Sequence, residues 1–259
     1  ISAEKQEYQK VARLEDQEYF IASHTQRRRW LHAQLDEDNN AYDISYAYRF
    51  SPDFDLVSFT KAVDLLYHRH ESLRTRFIEI DGRVCQKIEE LETERHKLNI
   101  IPCTSGEDTE VIVREQLNQL SNWKFDLAGD SLSSFRLVYL PSGEFLFLLN
   151  MDHGITDGIS MNKVSFELME AYKAFGENRE PKLLQLPVQY RDFTVWQERY
   201  LKDQKGEAAY NYWKTVFSKT PQVLDLPVKS GQRPLPKTYH GAVHQMYYDS
   251  MSKLEIERN

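Results

Sequence analysis

The chain has 259 residues, of which 41% are hydrophobic and 12% aromatic, enough for one or two domains with a substantial core. Its net charge of -7 argues against general nucleic-acid binding, since that function needs a basic surface. The longest nearly continuous apolar run, 145–149, is far too short to span a bilayer, and the charged start does not resemble a signal peptide. The only cysteines, Cys85 and Cys103, lack metal-type spacing, so we expect no metal site and a location in the reducing cytoplasm. We also expect no membrane partner.

The apolar pattern alternates along the chain between a helical period of 3.6 and a strand period of two. Residues 1–19 are polar and lack a sustained apolar face, which predicts a linker. The elements predicted after it, in chain order, are helix 23–35, strand 42–50, helix 56–66, strands 76–80 and 83–88, helix 111–120, strands 135–140 and 144–151, helix 164–175 and a helical segment 190–217.

Local signals mark the ends of several predicted elements. Ser23 is the candidate N-cap of the first helix, and Asp53 and Asp55 are candidate caps of the second. The Asp81–Gly82 pair between two strands is a strong hairpin signal. Gly176 is expected to end the helix that begins near residue 164.

The predicted strand 144–151 is nearly all apolar, as expected of a strand buried on both faces. With the mixture of helices and hairpins, it predicts an α/β (α+β) sandwich rather than a strict βαβ repeat. Prolines become frequent after Gly176. We therefore expect one lobe over residues 20–178, then a crossover and the beginning of a second lobe over 179–259. A further strand is predicted over 239–249, and the chain is expected to stop inside that second lobe.

His153 and Asp157 lie in the segment DHGITDGIS, residues 152–160, between the buried strand and the next helix. An imidazole in such a loop can take or hold a proton near neutral pH, while Gly154 and Gly158 could let a substrate approach the backbone. The simpler interpretation is that His153 caps the helix and Asp157 stabilises its N-terminal dipole. The spacing alone favours the simpler interpretation.

Four segments, read together and in order, resemble the condensation domains of nonribosomal peptide synthetases. SHTQRRRW at residues 23–30 resembles the motif SxAQxRLW, with Thr25 in place of Ala and Arg29 in place of Leu or Met. The other three segments are RHESLRTRF at 69–77, which fits RHExLRTxF at every specified position, MDHGITDGIS at 151–160, similar to MHHxISDGxS, and YRDFTVW at 190–196, similar to YxDFAVW. Segments 224–227 and 239–243 also look like the family's crossover.

The resemblance implies two chloramphenicol-acetyltransferase-like lobes with a tunnel between them, the first complete here and the second only begun. It implies amide formation between an upstream carrier-bound acyl thioester and the amine of a downstream carrier-bound aminoacyl thioester. Substrates would arrive on phosphopantetheine arms of peptidyl or acyl carrier protein domains, and the domain itself would bind no cofactor.

The resemblance also implies a role for particular residues. It makes His153 the catalytic base or positioning group, with Asp157 and Gly158 in the same motif. Asp157 is expected to be mainly structural, because in the family that Asp pairs with an Arg of the other lobe. Arg69 and Arg74 are expected to support the fold through ion pairs. Trp196 is expected to pack between the crossover and the lobe.

Asp152 stands where the family motif has its first His, so we expect Asp152→His to be tolerated or mildly beneficial. Asp152, Asp157 and Ser160 also satisfy DxxxxDxxS, the signature of heterocyclization domains, which condense and then cyclise Cys, Ser or Thr. The other three segments favour ordinary condensation. Two alternatives stay open: a non-catalytic remnant that binds carrier proteins, and a free-standing acyltransferase that uses coenzyme A. With one lobe incomplete, we expect residues 1–259 to be inactive alone.

Overall fold

The computed structural model describes residues 10–35, 42–91, 94–102, 106, 108–129 and 131–222. The chain divides into two compact units, residues 1–219 and 220–259, and the elements below belong to the first. In chain order they are β1 (Phe20–Ile21), α1 (His24–Leu35), β2 (Asp43–Phe50), α2 (Leu56–Arg69), β3 (Thr75–Ile80), β4 (Arg83–Ile88), β5 (Asn99–Ile101), α3 (Thr109–Ser121), β6 (Ser133–Tyr139), β7 (Phe145–Asp152), α4 (Gly158–Gly176), α5 (Tyr190–Lys202) and α6 (Gln204–Val216). Two short 3₁₀ turns cover Glu71–Arg74 and Glu94–His96.

The described strands form two sheets. The larger has the order β2-β7-β6-β5, in which β2, β7 and β6 are antiparallel and β5 runs parallel to β6. The smaller is antiparallel, with the order β1-β4-β3. β7 therefore lies between two partners. It pairs with β2 along its whole length, from Phe145 opposite Phe50 to Asp152 opposite Asp43.

Helices cover both faces of the larger sheet, because β7 has apolar side chains on each side. Phe147, Leu149 and Met151 belong to the main core, which α2 and α4 complete. Leu146 and Leu148 point to the opposite face and pack with α3. The prediction of a mixed α/β sandwich with a doubly buried strand before residue 152 is confirmed.

The caps of the first two helices follow the predicted chemistry. The Ser23 hydroxyl oxygen accepts the backbone N–H of Gln26 at 3.2 Å, which satisfies one of the free donors at the start of α1. Asp55 caps α2 with its side chain. Asp53, the other candidate, instead accepts a hydrogen bond from the Ser51 hydroxyl. Of the two predicted caps of α2, Asp55 is therefore the correct one.

The hairpin is confirmed, while some other predictions need correction. Asp81 and Gly82 both have positive φ, 49° and 71°, as a two-residue type I′ turn requires. The predicted helical segment 190–217 is two helices, because Asp203 adopts an extended conformation and its carboxylate caps α6. β1 and β5 were missed, since strands of two and three residues are too short to show a period.

The described part of the predicted linker contacts α5. The Leu14 N–H donates to Asp192 Oδ1 at 3.0 Å, and Arg191 Nη2 lies 2.6 Å from Asp16 Oδ1. The boundaries at residues 19 and 178 stay predictions, and the strand predicted at 239–249 lies outside the described residues. Among the helices that the structure describes, none is both long and apolar enough to cross a membrane.

Candidate active site

The turn between β7 and α4 is fixed by backbone hydrogen bonds on either side of His153. The Asp152 N–H donates to Leu132 O at 2.9 Å, the His153 N–H to Tyr42 O at 2.8 Å, and the Ile155 N–H to Asp152 O at 3.0 Å. The His153 side chain is exposed, and among the described residues no hydrogen-bond partner is found for it. Its imidazole is therefore carried on a fixed backbone and is free to contact a ligand.

His153 lines a cavity of about 350 Å³. Each of the four sequence segments contributes to its wall, because Gln26, His70 and Tyr190 line it as well. These residues are far apart in the sequence and come from α1, the end of α2 and the start of α5. The structure thus brings the four segments together at a single cavity.

Asp157 begins α4 as its N-cap. Its Oδ1 accepts hydrogen bonds from the backbone N–H and from the hydroxyl of Ser160, both at 2.7 Å. These hydrogen bonds lower the pKa of Asp157 below its ordinary value. The simpler interpretation placed Asp157 at the start of the helix, and its local contacts agree with that. The residue that caps the helix is, however, Asp157 and not His153. Gly158, the first residue of α4, has open space where a Cβ would stand.

Gly154 is a glycine because of close packing. A Cβ at this position would lie 2.8 Å from Asp152 Oδ1 and 2.9 Å from Phe77 Cε2. Gly154 is also buried. The space in the Cβ direction is therefore filled by protein atoms, while Gly154 still lines the cavity with the rest of its backbone, so substrate approach at this residue stays a prediction.

Asp152 forms a buried ion pair with Arg29. The Arg29 guanidinium donates from Nη2 at 2.6 Å and from Nε at 3.0 Å to Asp152 Oδ2, while Oδ1 accepts the Gly154 N–H at 2.6 Å. Asp152 is 0% exposed and Arg29 7%. Burial raises the pKa of Asp152, and the Arg29 guanidinium limits the rise.

This pair argues against the expectation that Asp152→His is tolerated or mildly beneficial. The change would leave a guanidinium buried without its carboxylate, and breaking a buried pair in this way costs about 3–5 kcal/mol. Arg29 was visible in the sequence only as a departure from the motif's Leu or Met.

Asp43 lies beside this pair, opposite Asp152 in the β2–β7 register. Burial and the Asp152 carboxylate raise the pKa of Asp43 to about 7, against a smaller opposing effect of Arg29. Within the described ranges, neither of its buried carboxylate oxygens has a hydrogen-bond partner. Sequence reasoning missed Asp43, because nothing in the local pattern distinguishes it from an ordinary residue at the start of a strand.

Residues 16–254 match the family model described as "Condensation domain". The chain belongs to the condensation domain family. Among the curated proteins it is 31% identical over 240 residues to gramicidin S synthase 2 of Brevibacillus brevis, an alignment covering 92% of this chain and 5% of that protein. It is 29% identical over 257 residues to bacitracin synthase 3 of Bacillus licheniformis, covering 99% and 4%. The chain therefore spans a small fraction of the length of these relatives.

Solved structures show the same fold. The complex of the X-domain and OxyB from teicoplanin biosynthesis matches with a TM-score of 0.72 at 23% identity, over 88% of this chain and 49% of that one. The first condensation domain of the calcium-dependent antibiotic synthetase, in complex with a substrate analogue, matches with a TM-score of 0.65 at 22% identity, over 79% and 48%. The chain spans about half the length of these structures.

In this condensation domain chain, Arg69 and Arg74 each form contacts between separate segments of the fold. Arg69 Nε lies 2.8 Å from Glu167 Oε2 on α4, and Arg69 also donates to the carbonyl oxygen of Leu184. Arg74 donates to Tyr67 O at 2.9 Å and to the carbonyl oxygen of Glu89. These contacts favour a structural role for both arginines, through the expected ion pair for Arg69 but through hydrogen bonds to backbone carbonyl oxygens for Arg74.

Trp196 packs within α5. Its ring stacks on Tyr200, with centroids 5.2 Å apart, and is tilted against Phe193 at 5.6 Å. In the part of the chain that the structure describes, no three His, Cys, Asp or Glu side chains are grouped so that they could hold a metal ion.

Proposed function

We propose that this chain supplies the catalytic histidine of a condensation reaction. The reaction forms an amide between an upstream carrier-bound acyl thioester and the amine of a downstream carrier-bound aminoacyl thioester. The observation that carries the proposal is the exposed His153 imidazole at the cavity where the four motif segments meet. Membership of the condensation domain family and the similarity to peptide synthetases support it.

The chemistry suits an imidazole at this place. An α-amine has an ordinary pKa of about 7.7–8.0, so much of it is protonated at neutral pH. His153 would accept a proton as the amine attacks the thioester carbonyl carbon, or would hold the amine by a hydrogen bond. The C–N bond forms, the C–S bond breaks, and the proton ends on the leaving thiolate. Delivery of both reactants as tethered groups lowers the entropic part of the barrier.

Heterocyclization is disfavoured by the position of Asp152. A carboxylate that takes part in cyclisation has to reach the substrate. Asp152 is fully buried, is bound to Arg29, and is not among the residues that line the cavity. Asp157 and Ser160, the other members of that signature, are hydrogen-bonded to each other at the start of α4.

The proposal includes the partners and the domain organisation. Upstream and downstream carrier protein domains would present their substrates on phosphopantetheine arms, and this domain would bind no cofactor of its own. Residues 20–178 would form the N-terminal lobe, and residues 179–259 the crossover and the start of the second lobe. The low cysteine content supports a cytoplasmic location, where thiols stay reduced.

The test measures the intact mass of the acceptor carrier protein. The full natural polypeptide that contains this sequence is combined with a donor carrier loaded with an acyl group and an acceptor carrier loaded with an amino acid. We expect the acceptor to gain the acyl mass, and His153→Ala to slow this gain about a hundredfold or more. His68→Ala, which removes an exposed histidine on α2 outside the cavity, is the matched control and should leave the rate unchanged.

The other outcomes identify the competing functions. Acyl transfer with loss of one water would show heterocyclization, in which case Asp152 and Asp157 would matter more than His153. Carrier binding without any transfer would show a non-catalytic remnant. Transfer from coenzyme A in preference to a carrier would show a free-standing acyltransferase. An unchanged rate for His153→Ala would remove His153 from the mechanism.

A further inference from the structure

Helix α1 contacts the His153 turn through two side chains that lie one helical turn apart. Gln26 Nε2 donates to Gly154 O at 3.1 Å, and Arg29 donates twice to the Asp152 carboxylate. That carboxylate also accepts the Gly154 N–H at 2.6 Å. Asp152 therefore connects the helix to the backbone on the far side of His153.

Arg29 also contacts the other segment that fixes His153. Its guanidinium carbon lies 4.9 Å from the centre of the Tyr42 ring, a cation–π contact. The carbonyl oxygen of Tyr42 accepts the His153 N–H at 2.8 Å. Tyr42 thus holds the backbone N–H of His153, and Asp152 holds the backbone N–H of Gly154. Both Tyr42 and Asp152 contact Arg29.

The two members of the ion pair occupy the positions where this sequence departs from the motifs it resembles. Arg29 replaces Leu or Met in the first motif, and Asp152 replaces His in the third. They are separated by 123 residues in sequence, yet their charged atoms are 2.6 Å apart and nearly excluded from water. Either charge alone in this place would be strongly destabilising, whereas together they compensate each other.

We infer that Arg29 is a positioning residue for His153. In this inference Arg29 and Asp152 form a pair that can be exchanged together, but not singly, for the apolar residue and the histidine that the motifs have at these positions. This inference rests on the proposed condensation function for its kinetic part. Arg29 orients the turn through Asp152 and Tyr42, so that the His153 imidazole faces the cavity. A displacement of about 1 Å at such a turn is enough to cost a large factor in rate.

The kinetic test compares four proteins in the full natural polypeptide: wild type, Arg29→Leu, Asp152→His and the double variant. We expect each single change to lower kcat at least roughly tenfold with little change in the KM for the acceptor carrier. The double variant should recover to within about threefold of wild type, because it carries neither unpaired charge. Arg27→Leu, which removes a partly buried ion pair between the same helix and Glu198, is the matched control and should keep the wild-type kcat.

A second measurement separates positioning from stability alone. In the 259-residue chain with labelled histidine, NMR reports the ring signals of His153 directly. We expect these signals to shift in each single variant and to return in the double variant, while Arg27→Leu leaves them in place. If Arg29→Leu does not fold, Arg29→Lys is used, since it keeps the charge and loses the two-bond geometry that Arg makes with a carboxylate. It should give a smaller shift of the same signals.

Two results would overturn the inference. One is a set of single variants that melt at lower temperature but keep both the wild-type kcat and the wild-type His153 signals. The other is a double variant whose loss equals the sum of the two single losses. If wild type makes no amide at all, the proposed function fails. The His153 signals of the four proteins then still decide whether Arg29 positions this side chain.

Discussion

Arg69 and Glu167 form a partly buried ion pair that joins the end of α2 to the middle of α4, with Arg69 Nε 2.8 Å from Glu167 Oε2. The same carboxylate oxygen lies 2.7 Å from His70 Nε2. Burial alone would raise the pKa of Glu167, but the hydrogen bonds from Arg69 and His70 hold it below its ordinary value. His70 lines the cavity that contains His153, so the Glu167 carboxylate fixes one wall of that cavity.

Arg69→Ala should therefore lower the free energy of unfolding by about 3 kcal/mol, the cost of leaving a buried carboxylate without its main partner. Replacing both members with methionine should cost less than the sum of the losses in Arg69→Met and Glu167→Met, because no charge is then left unpaired. Chemical denaturation of the four proteins measures this coupling. Lys173→Ala, which breaks an exposed pair with Glu177, should cost at most about 0.5 kcal/mol. Additive losses at Arg69 and Glu167 would contradict the interpretation.

The local elements of this fold could be predicted from sequence, while several of its charged contacts could not. β7, the hairpin at Asp81 and the start of α2 depend on periodicity and on the chemistry of neighbouring residues, so a short window contains their signal. Glu167 is 98 residues from Arg69 and looks like any polar residue of an amphipathic helix. Its partner is decided by how α2 and α4 pack, which no local window encodes.

The candidate site shows the same division. His153 and Asp157 were predicted as site residues because they lie in one motif. Asp43 and the contact between Arg29 and Asp152 were missed, since β-sheet pairing and the docking of α1 bring them together over a long sequence distance. The resemblance identified both departures from the motifs, but only the structure shows that the two departures touch each other.

Gly154→Ala should destabilise the chain by about 1–3 kcal/mol. The added methyl would overlap Asp152 Oδ1 and the Phe77 ring, so the turn or the ring has to move. Gly158→Ala is the matched control, because its methyl would enter open space at the start of α4. This control should be neutral or slightly stabilising, as alanine loses less backbone entropy on folding. Thermal unfolding measures both variants, and equal melting temperatures would show that Gly154 is not held by close packing.

Arg74→Ala should lower the free energy of unfolding by about 1–3 kcal/mol, since the carbonyl oxygens of Tyr67 and Glu89 both lose a donor. Arg74→Lys keeps the charge but cannot serve both carbonyl groups in the same way, so it should recover part of the loss. Urea denaturation measures both. A fully stable Arg74→Ala protein that loses only turnover would contradict the structural role of Arg74.

Asp43→Asn should stabilise the chain above neutral pH and much less at pH 5. The folded-state pKa of Asp43 is raised from 3.8 to about 7, so the folded protein binds a proton there that the unfolded chain has already released. Stability that depends on this proton is present below about pH 4 and is lost as the pH rises toward 7. The Asn variant carries no such proton, and its melting temperature relative to wild type should rise over this range and level off above pH 7.

The shape of that pH dependence is the decisive feature, because the Asn amide itself can shift the melting temperature by a constant amount. Asp53→Asn provides the control: the hydrogen bond from Ser51 lowers the pKa of that carboxyl, which is therefore ionised throughout the range from pH 5 to 8. Its difference from wild type should stay constant over that range. A constant difference for Asp43→Asn as well would show that Asp43 is ionised in the folded protein at pH 5. In that case the nearby Arg29–Asp152 pair would not change the protonation of the Asp43 carboxyl between pH 5 and 8.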